Sequence, residues 1–156
     1  MSGVSAEAPS GGSGGGEGAG DSFDAAALLA IASEMREHAY APYSSFRVGC
    51  ALLAADERVF VGANVENAAY GSTLCAERVA MSLAVVDGAR DFVALAVVGD
   101  GDGPCTPCGA CRQVLFEFAP ELVVLAGGGD GAVARYVLGD DLLPDGFGPP
   151  RLREGQ

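Results

Sequence analysis

Residues 75–77, Cys-Ala-Glu, and residues 107–111, Pro-Cys-Gly-Ala-Cys, decide how this chain is read. Together they supply three soft thiolates and one carboxylate that need not be a ligand. A structural zinc site closes all four tetrahedral positions with protein, whereas a catalytic one keeps the fourth for a water whose pKa falls to about 7. Three cysteines with no completing His pair or second Cys-x-x-Cys therefore point to an open, catalytic site. In a Cys-x-Glu step the carboxylate stands beside the fourth position without filling it, as a general base requires.

Both motifs open helical stretches. Cys75 to Val86 has helical spacing, with Val79, Leu83 and Val86 on one face and Gly88 as a stop; Gly109 to Phe118 does the same and ends before Pro120. Placing Cys75 and Cys108/Cys111 at helix starts favours thiolates, through free N–H groups and the positive dipole end. Three thiolates on one divalent cation leave a charge of about −1, and Arg78 is the adjacent cation that offsets it. Cys105, Cys108 and Cys111 repeat at three-residue spacing, so Cys105 is the alternative to Cys75 as a ligand, at the cost of leaving Cys75 and Glu77 without a role.

Working outward, Arg47 to Ala54 and Val59 to Ala63 read as a β-hairpin turning at residues 55–58, and Phe92 to Val98 as a strand buried on both faces. Leu122 to Ala126 and Ala132 to Val137 read as two more strands around Gly127–Gly131, a turn that lacks the Lys-Ser/Thr ending of a phosphate loop. Before them, a helix starting near Asp21 or Ser22 carries Leu28, Ile31, Ala32 and Met35 at helical spacing and stops before Pro42. Helices alternating with strands imply an α/β or mixed α+β sandwich. Met1 to Gly20, dominated by Gly, Ser, Ala and Glu, is expected to be a disordered tail. A single domain should span 21–150, followed by a short tail at 151–156.

Composition narrows the partners. With 156 residues, 49% of them hydrophobic, one well-buried domain is expected. The net charge is −12 and the nine basic residues are all arginine, unclustered in sequence, which argues against a nucleic-acid substrate. Apolar runs such as Val93–Val98 fall short of the roughly 20 residues that span a bilayer. With no signal-peptide pattern, and an odd number of cysteines (five) of which three carry metal spacing, a cytoplasmic protein with reduced thiols is expected, with neither a membrane nor a disulfide framework. Cys50 reads as a small core residue and the single histidine, His38, as exposed or capping.

The order of further blocks resembles the cytidine deaminases, in their small homotetrameric form with three cysteine ligands. These blocks are Tyr40-Ala41-Pro42-Tyr43-Ser44-Ser45-Phe46, Asn64-Val65-Glu66-Asn67-Ala68-Ala69-Tyr70, Cys75-Ala76-Glu77-Arg78, Pro107 to Gln113, and Leu142-Leu143-Pro144-Asp145-Gly146-Phe147-Gly148-Pro149. The resemblance implies an α/β/α sandwich around a mixed five-stranded sheet, one zinc per subunit, and four active sites completed across subunit contacts. It implies Cys75, Cys108 and Cys111 as ligands, Arg78 as their compensating cation, and Glu77 as the shuttle that moves a proton from the zinc water to N3 of the pyrimidine while C4 is attacked and ammonia leaves. It further implies Asn64 and Glu66 on the ribose 3′-hydroxyl, Phe46 against the base, the Ala76 N–H on the base, and Ala68, Tyr70 and Phe147 reaching a neighbouring subunit's site. Cytidine and deoxycytidine are the expected substrates; the competing readings are another small aminopyrimidine nucleoside and a non-catalytic zinc-stabilised module. Gly71–Leu74 and the extra thiols Cys50 and Cys105 depart from the family pattern.

Overall fold

The computed structural model describes residues 22–149 and Leu152. The expected N-terminal tail lies outside these residues, as does all of 151–156 apart from Leu152. The order of elements is α1 (Ala25–Arg36), β1 (Val48–Ala54), β2 (Val59–Ala63), α2 (Ala76–Val86), β3 (Phe92–Gly99), α3 (Gly109–Phe118), β4 (Val123–Gly127) and β5 (Val133–Val137). A 3₁₀ turn at Tyr70–Ser72 and a π-helical turn at Leu138–Leu142 complete it.

The strands form one sheet in the order β2-β1-β3-β4-β5. Three pairings are antiparallel and one, β3 with β4, is parallel, so the sheet is mixed. Parallel neighbours need a crossover, and α3 provides it. β3 is the central strand and its side chains alternate between two cores: Leu95 and Val97 join the cluster packed by α2 and α3, while Ala94, Ala96 and Val98 join the cluster packed by α1. The near-continuous apolar run at 92–98 thus sits between both helical layers, giving the α/β/α sandwich.

Small residues set the spacing of these layers. A Cβ on Gly49 of β1 would stand 2.1 Å from the Ala32 carbonyl oxygen, so α1 lies almost in backbone contact with the sheet. On the opposite face α2 buries Ala76, Ala80, Met81 and Ala84. Two of the larger apolar residues that share a face, Leu83 and Val86, point away from the sheet, 52% and 87% exposed. Alanines permit the close approach of the helix, so the bulky side chains are displaced to the outer face. For the same reason α1 buries Leu28 and Ala32 while Ile31 remains 36% exposed.

Helix limits follow their caps. α1 begins later than expected because Asp24 is its N-cap, its Oδ1 accepting the Ala27 N–H at 2.9 Å. It also ends at Arg36, well before Pro42. Cys75 and Cys108 are the N-cap residues of α2 and α3, both in extended backbone conformation. Val48 pairs with Gly99, and Gly49 with Ala63, so the start of β1 and the ends of β2 and β3 meet at one end of the strands. Residues leaving that end build the site.

Candidate metal centre and active site

The N-termini of α2 and α3 converge on three sulfurs. Cys75, Cys108 and Cys111 are the group of potential metal ligands found among the described residues, their Sγ atoms all within 4.8 Å of one another. Cys75 Sγ and Cys108 Sγ are 3.8 Å apart. Tetrahedral Zn–S bonds of about 2.3 Å require S···S separations of about 3.8 Å, so the geometry suits zinc, as do three soft donors. Cys105 is not in this group. Instead it lines the adjoining cavity, which leaves Cys75 as the first of the three clustered thiols.

Electrostatics prepare the cluster for a cation. The Cys75 thiol is held down to about 5, first by a hydrogen bond from Cys111 and then by Arg78 and Cys108, against the opposing effect of burial. Cys111, the donor in that contact and buried, is correspondingly raised. Arg78 Nη2 donates to the Thr73 carbonyl oxygen at 2.6 Å and approaches Cys75 Sγ at 3.8 Å. Its own pKa rises, chiefly through the Cys75 contact. The arginine next to the motif is therefore aimed at the first thiol of the cluster.

Glu77, on the first turn of α2, is only 4% exposed. Burial, the largest influence, raises its pKa, and the negative Cys75 raises it further. It lines a cavity of about 210 Å³ together with Val48, Asn64, Thr73, Cys75, Ala76, Cys105 and Cys108, among others. A buried carboxylic acid with an elevated pKa, beside a metal-ready thiol cluster, is the chemistry of a proton shuttle.

A second cavity of about 310 Å³ is lined by Tyr43, Ser44, Glu66, Tyr70 and Thr73. Thr73 belongs to both, so the two cavities adjoin. The Glu66 carboxylate accepts the Tyr43 N–H at 2.8 Å, the Ser44 N–H at 3.2 Å and the Ser44 hydroxyl. These bonds, the Ser44 hydroxyl first, hold its pKa below the usual carboxylate value. Asn64 Nδ2 donates to the Phe46 carbonyl at 2.9 Å and its Oδ1 accepts the Val48 N–H, also at 2.9 Å.

Phe46 does not line the inner cavity directly, but it stands beside that cavity's wall: a Cβ on Gly99 would come within 2.8 Å of Cys105 Sγ and 3.0 Å of Phe46 Cζ. Tyr70 is 75% exposed at the mouth of the outer cavity. Ala68 is exposed, and Phe147 is 59% exposed; neither lines either cavity of its own chain. Cys50 is fully buried in the core and His38 is exposed, as read from the sequence.

Several contributors escaped the sequence reading. Arg112 Nε donates to the Pro107 carbonyl at 2.8 Å and Nη1 to the Leu142 carbonyl at 2.9 Å, fastening the loop that delivers Cys108. Gln113 Nε2 donates to the Phe147 carbonyl at 2.9 Å and fixes that loop. Ser44 and Thr73 line the outer cavity. Arg112, Gln113 and Ser44 all fall inside quoted motif blocks, which was the signal available; Thr73 had none, because it lies in the stretch that departs from the family.

Comparison with known proteins agrees with this geometry. Residues 23–126 match the family described as the cytidine and deoxycytidylate deaminase zinc-binding region. The chain is 57% identical over 96 residues to a cytidine deaminase of Sporosarcina psychrophila, covering 62% of this chain and 71% of that one. It is 48% identical over 126 residues to a cytidine deaminase of Halalkalibacterium halodurans, covering 80% and 95%. The crystal structure of cytidine deaminase from Burkholderia pseudomallei superposes with a TM-score of 0.77 at 50% identity, covering 80% of this chain and all of that one. One from Mycobacterium tuberculosis superposes with a TM-score of 0.71 at 41% identity, covering 81% and 99%. A thiol cluster at two helix N-termini, a buried glutamic acid beside it and these likenesses lead to one conclusion: the chain belongs to the cytidine deaminase family of zinc-binding deaminases.

Proposed function

We propose that this chain hydrolyses cytidine and deoxycytidine to uridine and deoxyuridine with release of ammonia. The observation that carries this reading is the Glu77 carboxyl, buried and raised in pKa, lining one small cavity with Cys75 and Cys108. Cys75, Cys108 and Cys111 would hold a zinc ion, which when bound would supply a nucleophilic water near neutral pH. Glu77 moves one proton of the attacking water to N3 as the oxygen bonds to C4, and then the proton of the new C4 hydroxyl to the 4-amino group, whose bond to C4 breaks as ammonia leaves. Arg78 offsets the negative charge of the thiolates. The Ala76 N–H, at the first turn of α2 where helix donors have no internal partner, holds the base.

The outer cavity fits a sugar. Glu66 is ionised and acceptor-only, suited to the 3′-hydroxyl, and Asn64, in the lining of the adjoining inner cavity, keeps one N–H and one lone pair beyond its two backbone bonds. None of the five residues lining this cavity is basic, which favours a nucleoside over a nucleotide. Phe46 packs against the pyrimidine.

The working assembly in this reading is a homotetramer with shared sites, in which Ala68, Tyr70 and Phe147 serve a neighbour's cavity. Their exposure supports this, as does the apolar outer face of α2 at Leu83 and Val86, which a lone subunit leaves in water. No described helix is long and apolar enough to cross a membrane, and all five cysteines are free. Thiols that must remain reduced to bind metal suit the cytoplasm.

The test is ultraviolet absorbance of zinc-quantified protein with cytidine, alongside Glu77→Gln. Conversion by the wild type and a rate at least about 10²-fold lower in the variant are expected. An unchanged rate in a zinc-loaded variant removes Glu77 from the mechanism, and no conversion by zinc-loaded wild type rejects cytidine as substrate.

A further inference from the structure

Ser44 occupies the junction between the two cavities' chemistry. Its single hydroxyl proton is donated to Glu66 Oε1, and its oxygen accepts the Phe46 N–H at 3.0 Å. The carboxylate of the outer cavity and the backbone N–H of Phe46, whose ring stands beside the inner cavity, are thus joined through one oxygen atom. Phe46 is fixed from its other end by Asn64, which donates to its carbonyl. Between Ser44 and Phe46, Ser45 holds φ at 55°, in the left-handed region that a serine rarely adopts. Its N–H donates to the Ala41 carbonyl at 3.1 Å, so the turn is closed on itself. Such a conformation persists only where surrounding bonds over-determine it.

We propose that Ser44 is a positioning residue that sets the sugar-recognising carboxylate and the base-packing ring in register, so that 3′-hydroxyl recognition depends on it. The proposal rests on the reading of Glu66 as the ribose contact. Without the Ser44 hydroxyl, Glu66 keeps only the two backbone donors of residues 43 and 44, and the Phe46 N–H loses its partner. Both contacts loosen together. The proton shuttle is unaffected, because Ser44 lines the outer cavity and Glu77 the inner one.

Steady-state kinetics with cytidine and 3′-deoxycytidine test this on zinc-quantified wild type, Ser44→Ala, Ser44→Thr and Glu66→Gln. Loss of a hydrogen bond to a charged group predicts about a tenfold rise in KM for cytidine in Ser44→Ala, with kcat within about threefold. Discrimination against 3′-deoxycytidine should shrink in Ser44→Ala as it does in Glu66→Gln, and Ser44→Thr, which keeps the hydroxyl, should restore both. If Ser44→Ala fails to fold, Ser44→Cys, close in volume and a weak donor, reads the same effect. Full discrimination and unchanged KM in a wild-type-like Ser44→Ala overturn the role of Ser44 alone. A wild type that turns over 3′-deoxycytidine as well as cytidine, with Glu66→Gln unchanged, overturns the Glu66 reading and this proposal with it. Equal losses in kcat and kcat/KM in Ser44→Ala would place Ser44 at the reacting centre and also overturn it.

Discussion

Gly62 of β2 lies directly beneath Ala76, the first residue of α2: a Cβ on Gly62 would stand 2.3 Å from the Ala76 carbonyl oxygen and 2.8 Å from the Ala80 nitrogen. Helix and strand meet backbone to backbone at the turn that carries Cys75 and Glu77. Gly62→Ala must therefore lift the N-terminus of α2. The expected outcome is a loss of about 1–3 kcal/mol in stability, typical of overpacking, together with reduced zinc content. Thermal denaturation and metal analysis of the purified variant check it. Unchanged zinc occupancy would mean that the helix start does not depend on this contact.

Metal removal should expose a graded set of thiols. With its pKa held to about 5 by Cys111, Arg78 and Cys108, Cys75 is a thiolate at pH 7, whereas burial pushes Cys105 up to about 11 and Cys50 well above the usual thiol value. After chelation, brief iodoacetamide treatment at pH 7 should label Cys75 well ahead of Cys50 and Cys105, and bound zinc should protect it. Peptide mass spectrometry gives the order. Labelling of Cys105 ahead of Cys75 would contradict the electrostatics described here.

Asp100, after β3, accepts from Arg47 Nε at 2.9 Å and from the Arg47 backbone N–H at 3.0 Å, with Arg36 Nε 3.4 Å away. The Arg47 side chain above all holds the Asp100 pKa below its ordinary value. A carboxylate depressed in the folded state adds stability above its unfolded pKa, about 3.9, and loses it as pH falls through the folded value. Asp100→Asn should lower Tm by about 2–6 °C at pH 7, and the gap to wild type should close below about pH 4. Calorimetry across that window is the measurement. A gap that persists in acid would assign the effect to packing.

Val86 is 87% exposed at the end of the outward face of α2. If that face is buried between subunits, Val86→Asp should yield a folded protein of reduced mass whose activity falls with the assembly, because sites completed by neighbours fail together. Analytical ultracentrifugation and circular dichroism separate this from unfolding. A variant with unchanged assembly would remove this face from the subunit contact.

The sequence carried most of the fold because its punctuation was physical. Gly88, Pro120 and the Gly127–Gly131 turn end elements that pattern alone also delimits, and the double-sided burial of β3 was legible in its unbroken apolar run. Periodicity could not tell which face of α2 is inward. Leu83 and Val86 share a face, yet close approach over Gly62 favours the alanine face, a relation between elements distant in sequence. The π-helical turn at Leu138–Leu142 left no signal either, since it is fastened from outside by Arg112. At the site, the grouping of the three thiols was legible because ligand spacing is a local property. The Ser44–Glu66–Phe46 linkage was not, because hydrogen bonds across a loop leave no periodicity.

The single parallel pairing of β3 with β4 bears on how the protein comes into being. Cys75 leaves the ribosome 33 residues ahead of Cys108, an interval of about 2–7 s at ordinary elongation rates. α3, which bears Cys111 and is capped by Cys108, lies in the crossover to β4, and non-local parallel pairing is slow to form. The three thiols are thus brought together by the assembled sheet, with α2 and α3 seated on it, and not by the order of residues along the chain.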